Sequence, residues 1–189
     1  MNLQFNSQRL ILRSLRECDE ELYCQLFCDP DTMRYIGPVW TRAEAARAFR
    51  CALEAMRATP PGGLFLALTL KADERPVGLC TLQNFEPGGR AELGMMLVPS
   101  GRASRVATEA LIAVLTQVFA TLPLDEVWVR FAIDHQAATR TAVSGGLVRH
   151  AQARPEDLAA KLWRWSAYRG SWRPGAPDGV SVHCSTAQE

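Results

Sequence analysis

One run of the sequence restricts the fold more than any other: AELGMMLVPSGRASRVATEAL, residues 91–111, followed by EVWVRFAI, residues 126–133. The first eight residues read as a strand that ends at Pro99. A short polar loop follows, and then a stretch from Thr108 to about Leu122 that is apolar on most sides. A helix of that kind is largely buried and packs on a sheet. The next run is rich in β-branched and aromatic residues and reads as a second strand. Strand, buried helix and strand make a crossover, so these two strands must lie parallel in one sheet.

The rest of the chain predicts antiparallel neighbours for that pair. LFLALTL (64–70), PVGLCTLQNF (76–85) and the strand of residues 91–98 are joined by a charged turn and by EPGGR. Connections that short make a meander. Upstream, RLILRSL (9–15) alternates as a strand does, and ECDEELYCQLFCD has acids in the first turn of a helix and apolar residues at helical spacing. PDTMRYIG reads as a turn or short helix closed by Gly37 and Pro38. Thr41 and Glu44 form a capping box that opens a helix running to about Arg57, with Ala45, Phe49, Ala52, Leu53 and Met56 on one face. TPPGG stops it. Near the end, DHQAATRTAVSGGL reads as a helix ending at Gly145 and Gly146, and KLWRWSAYRGSW as a strand with Trp163 and Trp165 on one face. The expected fold is α+β, with a mixed and mostly antiparallel central sheet flanked by helices. Residues 1–173 form a single domain and residues 174–189, rich in turn formers, a flexible C-terminal tail.

Bulk properties exclude several classes of function. Net charge is +1, which supplies no field for nucleic acid or an anionic membrane. Of 21 basic residues only Lys71 and Lys161 are lysines. The 6 cysteines include no C-x-x-C pair and have no histidine cluster near them, so the reading is reduced thiols and no metal site. Cys80 reads as core. The opening residues lack a charged start followed by an apolar run, and no apolar stretch is long enough to span a bilayer, which together point to a cytoplasmic protein. A strand exposed near the C-terminus would offer an edge for a homodimer.

The order of elements resembles the GNAT (GCN5-related N-acetyltransferase) superfamily, in particular its ribosomal-protein N-terminal acetyltransferase-like branch, over roughly residues 9–172. RLILRSLRECDEE is similar to that branch's opening strand and helix, and DPDTMRYIG to the loop between its first two helices. AELGMMLVPS is similar to its central strand, and ATEAL to the start of its cofactor helix. The resemblance implies a donor, acetyl-CoA or another acyl-CoA, lying between the two parallel strands. Its pantetheine would bond the backbone of Met95, Met96 and Leu97. Its diphosphate would sit on the loop and the first amides of the helix, which is how a helix N-terminus takes an anion. Aligned from Pro99, the phosphate loop is Arg102, Ala103, Ser104, Arg105, Val106 and Ala107. Arg102 and Ala107 fit the family pattern, and Arg105 stands where the family has its central glycine.

The implied reaction moves an acyl group from a thioester to a primary amine, on a small molecule or on a peptide or protein N-terminus. Glu92, in the ELG of the central strand, would be the general base; the bland alternative is a strand carboxylate paired with an arginine or facing solvent. The branch's Asn-x-x-Ser corresponds here to Gln136, touching the donor, and Thr139, protonating the leaving thiolate; a hydroxyl in the first turn of a helix equally suits bonding to its own backbone. Arg34, Tyr35 and Trp40 fall where the family lines its acceptor pocket, and core packing would account for the aromatics too. His135 and His150 have no evident partner. Two other readings stand beside the enzyme: a degenerate binding module on the same fold, and an acyltransferase whose donor is a carrier protein or a non-acetyl thioester.

Overall fold

The computed structural model describes residues 3–59, 61–102, 105–151 and 154–174. The expected tail beyond Pro174 lies outside them.

The sheet is mixed, as the crossover demands. Its strands are β1 (Gln4–Asn6), β2 (Leu10–Ser14), β3 (Leu64–Leu70), β4 (Pro76–Glu86), β5 (Arg90–Leu97), β6 (Glu126–Ala132), β7 (Val148–Arg149) and β8 (Leu162–Tyr168). They are ordered β1-β2-β3-β4-β5-β6-β8-β7, and the β5–β6 pair alone is parallel among the described residues. β8 lies between β6 and the two residues of β7, so the strand expected to be exposed near the C-terminus is partly covered.

The helices follow from capping and from apolar spacing. A 3-10 turn at Glu17–Asp19 leads into α1 (Glu20–Phe27), and α2 (Pro30–Met33) is capped by Asp29, whose side chain accepts from the Thr32 amide. The Thr41–Glu44 capping box is formed and starts α3 (Arg42–Arg57), which buries Ala45, Phe49, Ala52 and Leu53. α4 (Val106–Thr121) is buried from Thr108 through Leu115. It joins the sheet in one apolar core with Leu66, Leu68, Leu93 and Val127. One charge is buried with it. Glu109 accepts from the Ser7 hydroxyl at 2.6 Å, the Arg9 amide at 2.7 Å and Arg9 Nε at 2.6 Å, tying α4 to the start of β2. Burial pushes this carboxyl up, but those bonds outweigh it and hold it below its ordinary value. α5 (Gln136–Ser144) follows β6, and α6 (Pro155–Ala159) precedes β8. No helix among the described residues is long and apolar enough to cross a membrane.

Candidate active site

The two parallel strands meet and then part. β5 pairs with β6 at Arg90–Glu126, Ala91–Val127 and Glu92–Trp128, and among the described residues at no position beyond. On its other side β5 stays paired with β4 as far as Leu97 opposite Gly78. Met95, Met96 and Leu97 therefore line an opening wedge on the β6 side, where a backbone edge can pair with an extended ligand.

The wedge opens toward the loop before α4. A 3-10 turn, Pro99–Gly101, brings the chain against the start of β4. A Cβ on Gly101 would lie 2.7 Å from the Val77 carbonyl oxygen, so only glycine fits there. Arg102 then ties the loop down. Its Nε donates to the Leu97 carbonyl at 3.1 Å and its Nη2 to the Thr32 hydroxyl at 2.5 Å, with Asp29 at 3.7 Å. The Thr32 hydroxyl and amide, with Arg102 behind them, hold the Asp29 carboxyl below its usual value. Ala103 and Ser104 lie outside the described residues. Arg105 adopts a left-handed conformation, φ 61° and ψ 22°, with its side chain exposed and making no cap bond. Val106 is buried and Ala107 half-buried at the start of α4, whose first amides have no partner within the helix.

Glu92 sits at the fork itself, half-buried. Asn84 Nδ2 donates to its Oε2 at 2.6 Å, Arg130 Nε to its Oε1 at 3.1 Å and Arg130 Nη2 to its Oε2 at 3.4 Å. Arg130 also lies 3.5 Å from Asp157, which is fully buried and accepts from Arg164 Nε at 3.0 Å. Partial burial pulls Arg130 down, but Glu92 and Asp157 prevail and raise it. The sequence did not single out Arg130. Glu92 and Arg130 are brought together only by the strand register, and a charged residue at alternate spacing on β6 was the available signal.

A second group joins the segment between α2 and α3 to the start of α5. The Tyr35 ring stacks on His135 with centroids 4.1 Å apart, and the Arg34 guanidinium lies 5.3 Å from the centre of the Tyr35 ring. His135 caps α5, its Nδ1 accepting from the Ala138 amide at 3.5 Å. Burial pushes its pKa down; Asp134 opposes this and Arg102 adds to it. His135 thus has the partner that its sequence context did not reveal. His150 has one as well: its Nε2 is 2.7 Å from the Ser166 hydroxyl, which donates to Glu126 at 2.5 Å. Trp40 stacks on Phe27 at 4.5 Å and packs on the core. Gln136 is exposed, and the half-buried Thr139 hydroxyl donates to the His135 carbonyl at 3.3 Å.

Other features are set apart from this constellation. Cys80 is buried on β4, and burial pushes its thiol up to about 12, which suits a core residue and not a nucleophile. A cleft of about 690 Å³ lies between the end of β2 and the end of α3, lined by Leu15, Cys18, Leu53, Met56, Arg57 and Pro61 among others. Its lining shares no residue with the fork. Among the described residues no group of three or more His, Cys, Asp or Glu is placed to hold a metal ion.

Comparison with known proteins agrees with this architecture. The family model described as an acetyltransferase (GNAT) domain matches residues 9–148. No curated protein matches. Among solved structures, a GNAT-family acetyltransferase from Bacillus anthracis superposes with a TM-score of 0.73 at 17% identity, covering 89% of this chain and 100% of that one. A spermidine N-acetyltransferase from Vibrio cholerae, solved with CoA and spermine, gives 0.71 at 15% identity over 86% of this chain and 96% of that one. RimL, a ribosomal L7/L12 alpha-N-protein acetyltransferase solved with coenzyme A, gives 0.73 at 13% identity over 88% of this chain and 98% of that one.

Proposed function

We propose that this chain, which belongs to the GNAT acetyltransferase family, moves an acyl group, acetyl in the first instance, from an acyl-CoA to a primary amine on a peptide or protein N-terminus or a small molecule. The observation that carries the reading is the position of Glu92 where β5 and β6 separate. A thioester held along Met95, Met96 and Leu97 would end beside that carboxylate. The diphosphate end would meet Arg105, the loop of Ala103 and Ser104, and the first amides of α4 at Val106 and Ala107. Arg102 reaches the same end from its bond to the Leu97 carbonyl.

The chemistry needs few groups. The amine nitrogen attacks the thioester carbonyl, the C–N bond forms and the C–S bond breaks. Glu92 takes the amine's proton, directly or through one water, and the departing thiolate gains a proton, for which Thr139 is the candidate donor. Gln136 is the candidate side-chain contact to the donor. Arg34 and Tyr35 border the acceptor side; Trp40 supports that loop through Phe27.

Charge around the fork bears on the acceptor. Glu92 faces Arg130, Asp157 faces Arg164 and Arg130, and Glu86 faces Arg90 at 3.1 Å and Arg154 at 3.8 Å. A polyamine needs several uncompensated carboxylates. Acids already matched by arginines favour an acceptor with a single amine, such as a peptide N-terminus.

A second reading, a binding module without turnover, draws support from the strained Arg105 and from the Thr139 hydroxyl spent on a backbone carbonyl. The test is turnover of acetyl-CoA with a panel of N-terminal peptides, small monoamines and polyamines, beside Glu92→Gln. The enzyme reading expects turnover that falls about 10²- to 10⁴-fold in the variant while acetyl-CoA still binds. Binding without turnover on any amine would favour the module.

A further inference from the structure

The set of charges behind Glu92 has a feature that a passive strand ion pair lacks. Asp157 has 0% of its side chain exposed and Arg164 3%. A buried carboxylate with a single guanidinium is already balanced. Here a second guanidinium, Arg130, is added at 3.5 Å and continues to Glu92 at 3.1 Å. Two cations and one buried anion would leave an excess positive charge in a half-buried place, at high cost in desolvation. With Glu92 ionised, the four groups are neutral together.

Geometry adds to charge. Arg130 meets Glu92 side-on, through Nε and Nη2, and Asn84 Nδ2 also donates to Oε2. Both guanidinium groups lie against the Trp128 ring, Arg164 at 3.9 Å and Arg130 at 5.1 Å from its centre. Trp128 is the residue opposite Glu92 in the parallel register. The Arg130 fork therefore has a fixed plane, a carboxylate behind it and a carboxylate in front. The carboxylate in front is held in one orientation, and with three hydrogen bonds accepted it has one acceptor site left, on Oε1, for an amine or a water.

We infer that Asp157 is a positioning residue for Glu92, acting through Arg130, and that α6 is present in the fold to bury that carboxylate behind the base. The inference rests on Glu92 serving as the base proposed above. Asp157 touches neither substrate nor Glu92; its effect passes through one guanidinium. Loss of its charge frees Arg130 to turn toward solvent, and the carboxylate of Glu92 loses its fixed plane. Misplacement of a reacting group by about 1 Å can cost on the order of a hundredfold in rate.

A double-mutant cycle separates this role from a merely structural one. Glu92→Gln, Asp157→Asn and the pair are compared for kcat on the best amine and for acetyl-CoA affinity. We expect Asp157→Asn to lower kcat about ten- to a hundredfold, with acetyl-CoA affinity unchanged. In the Glu92→Gln background the same change should do nothing more, because the group it positions is gone. Equal loss in both backgrounds, or no loss in either, overturns the inference and leaves Glu92 as base intact. Unchanged kcat in Glu92→Gln alone overturns the base assignment itself. Should Asp157→Asn not fold, Arg130→Lys takes its place in the cycle: it keeps the charge and loses the side-on fork, and it should cost kcat only where Glu92 is present.

Discussion

Arg105→Gly removes a Cβ from a left-handed residue and a guanidinium from the proposed donor loop in one step. The two consequences have opposite signs and can be measured apart. At φ 61° and ψ 22° a residue with a Cβ carries a conformational cost of about 1–2 kcal/mol. Glycine relieves that cost but gives back about 0.5–1 kcal/mol through its greater freedom when unfolded. The net expectation is a gain of between about 0 and 1.5 kcal/mol, a rise in Tm of up to ~6 °C for a chain of this size. Arg105→Ala keeps the Cβ and should leave stability within about 0.5 kcal/mol of the parent. Acetyl-CoA binding should respond the other way. A charge-assisted hydrogen bond to the diphosphate contributes about 1.5–3 kcal/mol, so both variants should bind about ten- to a hundredfold more weakly, measured by calorimetric titration beside thermal melts. A glycine variant that melts several degrees lower would refute the claim of strain at this residue. A glycine variant that binds acetyl-CoA more tightly would refute the claim that the arginine contributes to the cradle.

Two further predictions follow from groups whose titration is displaced. Glu109 is held below its ordinary carboxylate value, so its contribution is present at neutral pH and is lost as acid carries the solution below about 4.5 and through the lowered value. Glu109→Gln should therefore cost about 1–2 kcal/mol in denaturant unfolding at pH 7, reduced by the exposure of Arg9, and the gap from the parent should narrow below pH 4. His135 is pushed below its usual value by burial, so its stack with Tyr35 is favoured while the ring is neutral and weakens as pH falls below about 6.5. Amide exchange in residues 34–40, corrected for the intrinsic rate, should quicken between pH 7.5 and 5.5, and Tyr35→Ala should abolish that difference.

Much of the architecture was legible because it is written locally. The Thr41–Glu44 box and the apolar face of α3 lie within one helix, and the β5–α4–β6 crossover follows from a buried helix between two strands. α4 begins at Val106, ahead of the expected Thr108, because Arg105 turns left-handed and leaves the next residue helical. β1 was not anticipated: Gln4–Asn6 is too short to show a period and exists through pairing with β2. β7, two residues long, has the same explanation. α6 did carry a signal, Pro155 at its first position with Glu156 and Asp157 in its first turn.

The site divided along the same line. Glu92, Met95, Met96, Leu97 and the loop to Ala107 lie within one stretch of chain, and their order suggested a donor cradle. The partners of Glu92 come from β4 and β6, and the partner of His135 comes from the loop after α2. Such contacts depend on register and on the packing of distant segments, neither of which a residue pattern encodes by itself.

The most direct test of a donor site in the fork is amide hydrogen exchange with and without acetyl-CoA. Slowed exchange confined to residues 93–98 and 105–109 is the predicted result. No slowing there, or slowing instead around the cleft of Leu15, Cys18, Leu53 and Met56, would contradict the account.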